Sequence, residues 1–227
     1  MDSVNIFCEN LLMRIKRPKA SAPRTYHHGD LRRSLIDSAL ALVTEEQDWA
    51  FSLREVARRA GVSHNAPYNH FADKRDLLAA VATAGFSSLG ERMLTATSGI
   101  ERADSALVTS GVVYVTFGVE NPAHYRLMFS SALINAEEGR PESVVAAGLA
   151  AREILAGIIR RGAMTSIFDA SLKQDEELHA AVLAAWSIVH GLTMLTIDGV
   201  GGPRQLTIER IAEKVASALC YGLVRRH

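Results

Sequence analysis

Cysteine is nearly absent: Cys8 and Cys220 stand at opposite ends of a 227-residue chain. That excludes a disulfide framework and a CxxC metal site, and it fits a reducing compartment, the cytoplasm. Metal-ligand spacing is missing as well. His27 and His28 are adjacent, no HxxxH or Cys–His cluster occurs, and no metal or cofactor is implied. Net charge is absent too, with 25 basic residues against 25 acidic ones, so the surface as a whole is not built to bind nucleic acid. Asp2 and Glu9 lie where a signal peptide would be basic. The most apolar run, Ala180 to Leu195, is broken by Ser187 and His190 and is shorter than a bilayer span of about 20 residues, so no membrane segment is expected. Aromatics are few, at 6%, while alanine and leucine abound, which points to an all-α protein.

Charge is present locally. Arg14, Lys16, Arg17, Lys19, Arg24, Arg32 and Arg33 face a single acid, Asp30, in one stretch. This is either the electrostatic footprint of a nucleic-acid binder or a solvated disordered tail. Pro18 and Pro23 break any helix there, so residues 1–24 read as a disordered basic arm.

Residues 52–71, SLREVARRAGVSHNAPYNHF, carry the strongest pattern. Leu53, Val56, Ala57 and Ala60 recur at helical spacing. Ser52 and Glu55 form a capping box that starts the helix, and Gly61 supplies the positive φ that ends it. Ser63 is placed to cap a second helix, with Pro67 near the end of its first turn, so a tight or irregular start is expected. This is a helix-turn-helix, whose second helix enters the DNA major groove. Ser63, His64, Asn65, Tyr68, Asn69 and His70 give that helix a polar face without acids, suited to phosphates and base edges.

The rest reads as helices. One begins near Gly29–Asp30 and ends near Glu46, burying Leu31, Leu35, Ala39, Leu42 and Val43, with Trp49 and Phe51 plugging the small core behind it. Asp73 caps a helix through Leu77, Leu78, Val81 and Ala84 towards Met93, and Asp76 can reach back to it. Lys74, at its start, is placed for a phosphate. Residues 101–119 contain GVVYVTFGV, a strand by propensity, which helical neighbours override. Asn121-Pro122 caps and opens a short helix. Further helices span about 142–164, 175–198 (the longest) and 207–226, the last capped by Thr207 with Ile208, Ile211, Val215, Ala218 and Leu219 on one face.

Residues 25–90 resemble the DNA-binding domain of the tetracycline-repressor (TetR) family. The resemblance rests on Ala57–Ser63, on Tyr68–Phe71 and on Lys74 three residues later. It implies DNA contacts by Arg24, Thr25, Ser52, Ser63, His64, Asn65, Tyr68, Asn69, His70 and Lys74, with Ala66-Pro67 departing from the commonest pattern. Trp186, His190 and Gly191 resemble the W-x-x-x-H-G element of one C-terminal subgroup, and residues 121–129 its companion segment. The implied organisation is a three-helix DNA-binding domain over 25–75, linked through helix 76–93 to a larger helical effector-binding and dimerisation domain over 94–227. Its implied function is a bacterial transcription regulator, by family default a repressor, released from a pseudo-palindromic operator in double-stranded DNA by a small molecule.

Helix 175–198 is apolar nearly all round and must be buried on more than one side. It is expected, with 207–226, to form a homodimer interface, Ala181, Ala184, Ala185 and Gly191 allowing close approach. Tyr114, Phe117, Tyr125, Met128, Phe129, Trp186, His190 and Met194 are the groups available to an apolar effector, or to the core. His190 is expected to satisfy a backbone carbonyl. Two other functions stay open: a regulator without a small-molecule ligand, controlled by a protein partner or by abundance, and an enzyme with a DNA-binding head using Ser187 and His190. No nucleophile elbow, phosphate loop or carboxylate pair supports the enzyme.

Overall fold

The computed structural model describes residues 28–137, 139–200 and 206–223. The basic arm, with Cys8 and Arg24, therefore lies outside the described residues, as do Thr25, His27 and Arg226. The described chain is helical: α1 (His28–Glu46), α2 (Leu53–Arg59), α3 (Lys74–Thr97), α4 (Ala103–Glu120), α5 (Pro122–Phe129), α6 (Glu142–Met164), α7 (Asp175–Ile197) and α8 (Ile208–Leu223). No strand occurs among these residues. A single β-bridge, Asn135 to Gly139, closes the turn before α6.

Local chemistry sets the boundaries. The Ser52 N–H donates to Glu55 Oε2 at 2.7 Å and the Glu55 N–H to Ser52 Oγ at 3.3 Å, completing the capping box. At the other end of α2, Gly61 has φ +69, Val62 N–H donates to Ala57 O and Gly61 N–H to Arg58 O, a Schellman ending. Asp73 Oδ1 accepts from the Asp76 N–H at 2.8 Å, and Asp76 Oδ2 accepts from the Ala72 N–H. Residues 103–120 are helix despite their β-branched content. Asn121 holds the N-cap position of α5, its carbonyl accepting from the Tyr125 N–H at 2.8 Å, and Pro122 follows at the first position. The Asn121 side chain does not cap, however: the backbone N–H and Nδ2 of Asn121 both donate to Phe117 O and close α4. The longest helix is α3 with 24 residues, not α7 with 23, because the Asp73 cap starts it early and it continues past Met93 to Thr97.

Leu35, Ala39 and Val43 are fully buried on α1, next to Phe51 and Phe71. This cluster runs on without a break through Leu77, Val81 and Leu89 of α3 into Tyr125, Leu127 and Met128 of α5. α3 packs on α4, α5 and α6, and α1 packs on both α3 and α5. A second cluster, around Leu107, Ile159, Phe168 and Leu178, fills the far end of the body.

α7 and α8 pack on each other and on α4. The buried stripe of α8 is Ala212, Ala216 and Cys220, one step round from the one anticipated, and Ala218 faces outwards. On α7, Ala181 and Ala185 face the chain's own core, whereas Leu183, Ala184, Ile188 and Leu195 form an open apolar stripe. α7 is long and apolar enough to cross a membrane, with a mean hydropathy of 1.7. The interruptions at Ser187 and His190 did not lower that value enough. Its inner side packs on α4, α6 and α8, which is the behaviour of a core helix with a second apolar side left open.

Candidate nucleic-acid interface and effector cavity

The segment after α2 is not an α-helix. Residues Ala66–Asn69 form a short 3-10 turn, and Ser63 caps nothing with its side chain. Ala66 N–H donates to Ser63 O at 2.9 Å, Tyr68 N–H to Asn65 O, and His70 N–H to Pro67 O. Pro67 explains this. It has no N–H to give to Ser63 O, and it disfavours the α conformation at Ala66, so the turn tightens to i→i+3 bonding. Pro67 and Phe71 are buried and pin the segment to the core.

What the turn leaves outside is the polar set. Ser63, His64, Asn65, Tyr68 and Asn69 are exposed, and His70 is half-buried. Tyr68 keeps 53% of its surface open, a large exposure for an aromatic with no packing role. Lys74 stands at the N-terminus of α3 with its ammonium 5.3 Å over the Phe51 ring. Arg32 lies 5.2 Å over the Phe71 ring. Ser52 is committed to the capping box. Its hydrogen bonds hold the Glu55 carboxyl below the usual carboxylate range, with smaller contributions from Arg58 and Lys74. Arg59 is tied to Glu45 of α1, which fixes α2 against α1.

The body encloses a cavity of about 300 Å³. Its inner wall is Leu89, Leu107, Ser110, Tyr114, Met128 and Val144, all buried, with Phe86, Phe129 and Trp186 beside them. Val145 and Leu149 of α6 line it while remaining 42% and 51% exposed, which marks the mouth. Arg152, the next residue on that stripe, lines both the cavity and the cleft between α6 and α7. Arg140 also reaches the wall, but its guanidinium is used: it donates to the carbonyls of Met128, Phe129 and Ser130 and closes the end of α5.

Of the anticipated ligand residues, Tyr114, Met128, Phe129 and Trp186 are on the wall. Phe117, Tyr125, His190 and Met194 are not. Phe117 is core, under the Arg92 guanidinium at 5.3 Å. Tyr125 and His190 lie behind Tyr114 in a chain of hydrogen bonds. Trp186 Nε1–H donates to the Tyr114 hydroxyl at 3.0 Å, the Tyr114 and Tyr125 hydroxyls meet at 2.9 Å, and the Tyr125 hydroxyl meets His190 Nδ1 at 2.7 Å. His190 thus serves a tyrosine rather than a backbone carbonyl. The histidine that does serve a carbonyl is His124, whose Nε2–H donates to Val81 O at 2.9 Å. Burial lowers the pKa of both imidazoles. It pushes the Tyr114 hydroxyl up to about 12 and that of Tyr125 further up. Ser110, Arg140, Arg152 and the α6 stripe were missed by sequence reasoning. The one available signal was Arg152 at i+7 from Val145 and i+3 from Leu149 in an otherwise apolar stripe.

Two family models match the chain. One, described as bacterial regulatory proteins of the tetR family, matches residues 35–81. The other, described as the tetracyclin repressor-like C-terminal domain, matches residues 107–219. Among solved structures, the chain is similar to a protein of unknown function from a Rhodococcus species, with a TM-score of 0.73 and 28% identity over 89% of this chain and 100% of that one. It is similar to PfmR, a TetR family transcriptional regulator from Thermus thermophilus, at 0.61 and 22% over 84% and 99%. It also shares its fold with FadR from Bacillus subtilis, solved in complex with stearoyl-CoA, at 0.64 and 16% over 84% and 98%.

Proposed function

The chain belongs to the TetR family of DNA-binding transcription regulators, and from that premise we propose that it is a homodimeric cytoplasmic repressor released from a pseudo-palindromic operator by a small molecule in the α3–α4–α6 cavity. The observation that carries this reading is the path of α3. Its first residue is Lys74, beside the DNA-reading turn, and Phe86, Leu89 and Met93 further along line the cavity. A ligand that moves α3 therefore moves the head. We assign the head to residues 25–75 and the effector and dimerisation body to 94–227, with α3 as the link. The joined Trp186 and His190 favour the W-x-x-x-H-G subgroup.

The dimer forms through α7 and α8. The open stripe of Leu183, Ala184, Ile188 and Leu195 is apolar, and a Cβ on Gly191 or Gly222 would meet nothing within 4 Å, so a second chain can come close. Two heads then read successive major grooves. The enzyme alternative gains no support, since Ser187 is exposed and His190 bonds the tyrosines.

The test is retardation of the DNA upstream of its own gene by the full-length protein. Affinity should fall steeply with salt, log K dropping by about 0.9 per phosphate contact for each unit of log salt. His64→Ala and Asn65→Ala should relax sequence choice, by about 1–3 kcal/mol per lost base contact, whereas Lys74→Ala should weaken all sequences alike and flatten the salt slope. Binding that is indifferent to all three substitutions overturns the assignment of the reading face.

A further inference from the structure

The cavity's polar groups are unevenly distributed, and that distribution names a ligand class. Among the described residues no aspartate or glutamate lines the cavity, while two arginines do. Arg140 is held by three backbone carbonyls. Arg152 is different. It is half-buried at the mouth, its guanidinium lies 5.5 Å over the Trp186 ring, and among the described residues it makes no hydrogen bond or ion pair. The carboxylates nearest along the α6–α7 cleft are Glu153, which bonds Arg160 at 3.2 Å, and Asp175 at the start of α7. A guanidinium stacked on an aromatic face keeps its planar donor fork open at the edge, the geometry that pairs with a carboxylate. Ser110 lies on the inner wall, where its hydroxyl adds one polar group to an apolar lining.

Resting on the reading of this cavity as the effector site, we infer that the effector is an amphiphilic carboxylate, its anionic end paired with Arg152 at the mouth and its apolar body laid along Leu89, Met93, Met128 and Phe129. The carboxylate explains why the arginine stands unpaired in an otherwise apolar stripe. The body explains why the rest of the wall is hydrocarbon and ring.

The probes are hexanoate, octanoate and decanoate, each against its matched alcohol, titrated calorimetrically into the full-length protein without DNA. The longer carboxylates should bind more tightly than their alcohols and release DNA. Arg152→Gln should weaken carboxylate binding about 10- to 100-fold, the loss of a charge-assisted hydrogen-bonded pair. It should leave alcohol binding within about 2-fold, because an apolar tail does not use the fork. Arg152→Lys should fall between, keeping the charge and losing the fork. If Arg152→Gln fails to fold, the carboxylate-over-alcohol preference of the unaltered protein still decides. Alcohols binding as tightly as carboxylates, or Arg152→Gln weakening both classes equally, would overturn the anion assignment and leave the cavity as an effector site. If neither class binds while the protein still retards its DNA, both the anion assignment and the effector reading fall.

Discussion

Single residues fix this structure where backbone and side chain meet closely. Gly118 of α4 is the tightest such place near the cavity. A Cβ there would sit 2.3 Å from Thr193 Cγ2 of α7 and 3.0 Å from the Tyr125 ring. Thr193 is itself buried and donates to Val189 O, so it has little room to yield. Gly118→Ala should therefore destabilise the protein by about 1–3 kcal/mol, read as a lower urea midpoint at an unchanged m-value. This constraint was invisible in the sequence, where GVVYVTFGV showed only β-branched and aromatic residues between two glycines. A glycine that admits a neighbouring helix looks no different from one in a turn. Pro67 is the opposite case. Its missing N–H was legible, and so was a tight first turn, but the collapse of the whole segment to a 3-10 turn depended on the burial of Pro67 and Phe71, which a linear reading does not show.

At the scale of elements, side-chain caps were the most legible feature because they need only neighbours in sequence. Ser52 with Glu55 is made in both directions, and Asp73 caps through the Asp76 N–H, while the Asp76 carboxylate reaches one residue further back, to the Ala72 N–H. Ser52→Ala should remove the first cap and cost about 1 kcal/mol, measured by chemical denaturation. The same substitution should weaken DNA binding if it lets α2 fray, since α2 holds the reading turn. Faces of helices were harder. α8 was read one step out of phase because its wide apolar side runs from Ile208 and Ile211 round to Ala212 and Ala216, and packing alone selects the centre. α6 was read correctly from Glu142 to Met164, yet its role as a cavity wall was missed. Aromatic residues suggest a ligand site to the eye, whereas most of this wall is aliphatic, and α6 contributes more of it than any other helix.

For the whole molecule, buried imidazoles make stability depend on pH. His124 and His190 keep pKa values below the ordinary one, chiefly through burial. The unfolded chain protonates both as pH falls through about 6.5, while the fold resists. The unfolded state then binds more protons, so stability present above that pH is lost on acidification. Urea midpoints at neutral and mildly acidic pH should show it, with a slope of up to about 1.4 kcal/mol per pH unit for each group. An unchanged midpoint would mean that the two rings titrate normally in the fold. His124 of α5 bonds Val81 of α3, and His190 of α7 bonds Tyr125 of α5, so protonation stresses the contacts of α5 first. α3 itself spans about 36 Å, long enough to carry a displacement from the cavity to the DNA.

The chain from Trp186 to His190 has a direction. Trp186 can only donate, so the Tyr114 oxygen receives from it. Tyr125 gives its proton to Tyr114, so the Tyr125 oxygen receives from His190 Nδ1–H. In that order the Tyr114 oxygen receives twice, and its own proton is left for an oxygen in the cavity. Turning the hydroxyls round, so that Tyr114 gives to Tyr125 and Tyr125 to His190, moves the imidazole proton from Nδ1 to Nε2. The imidazole thus records, in the choice between its two nitrogens, whether the Tyr114 proton is offered to the cavity.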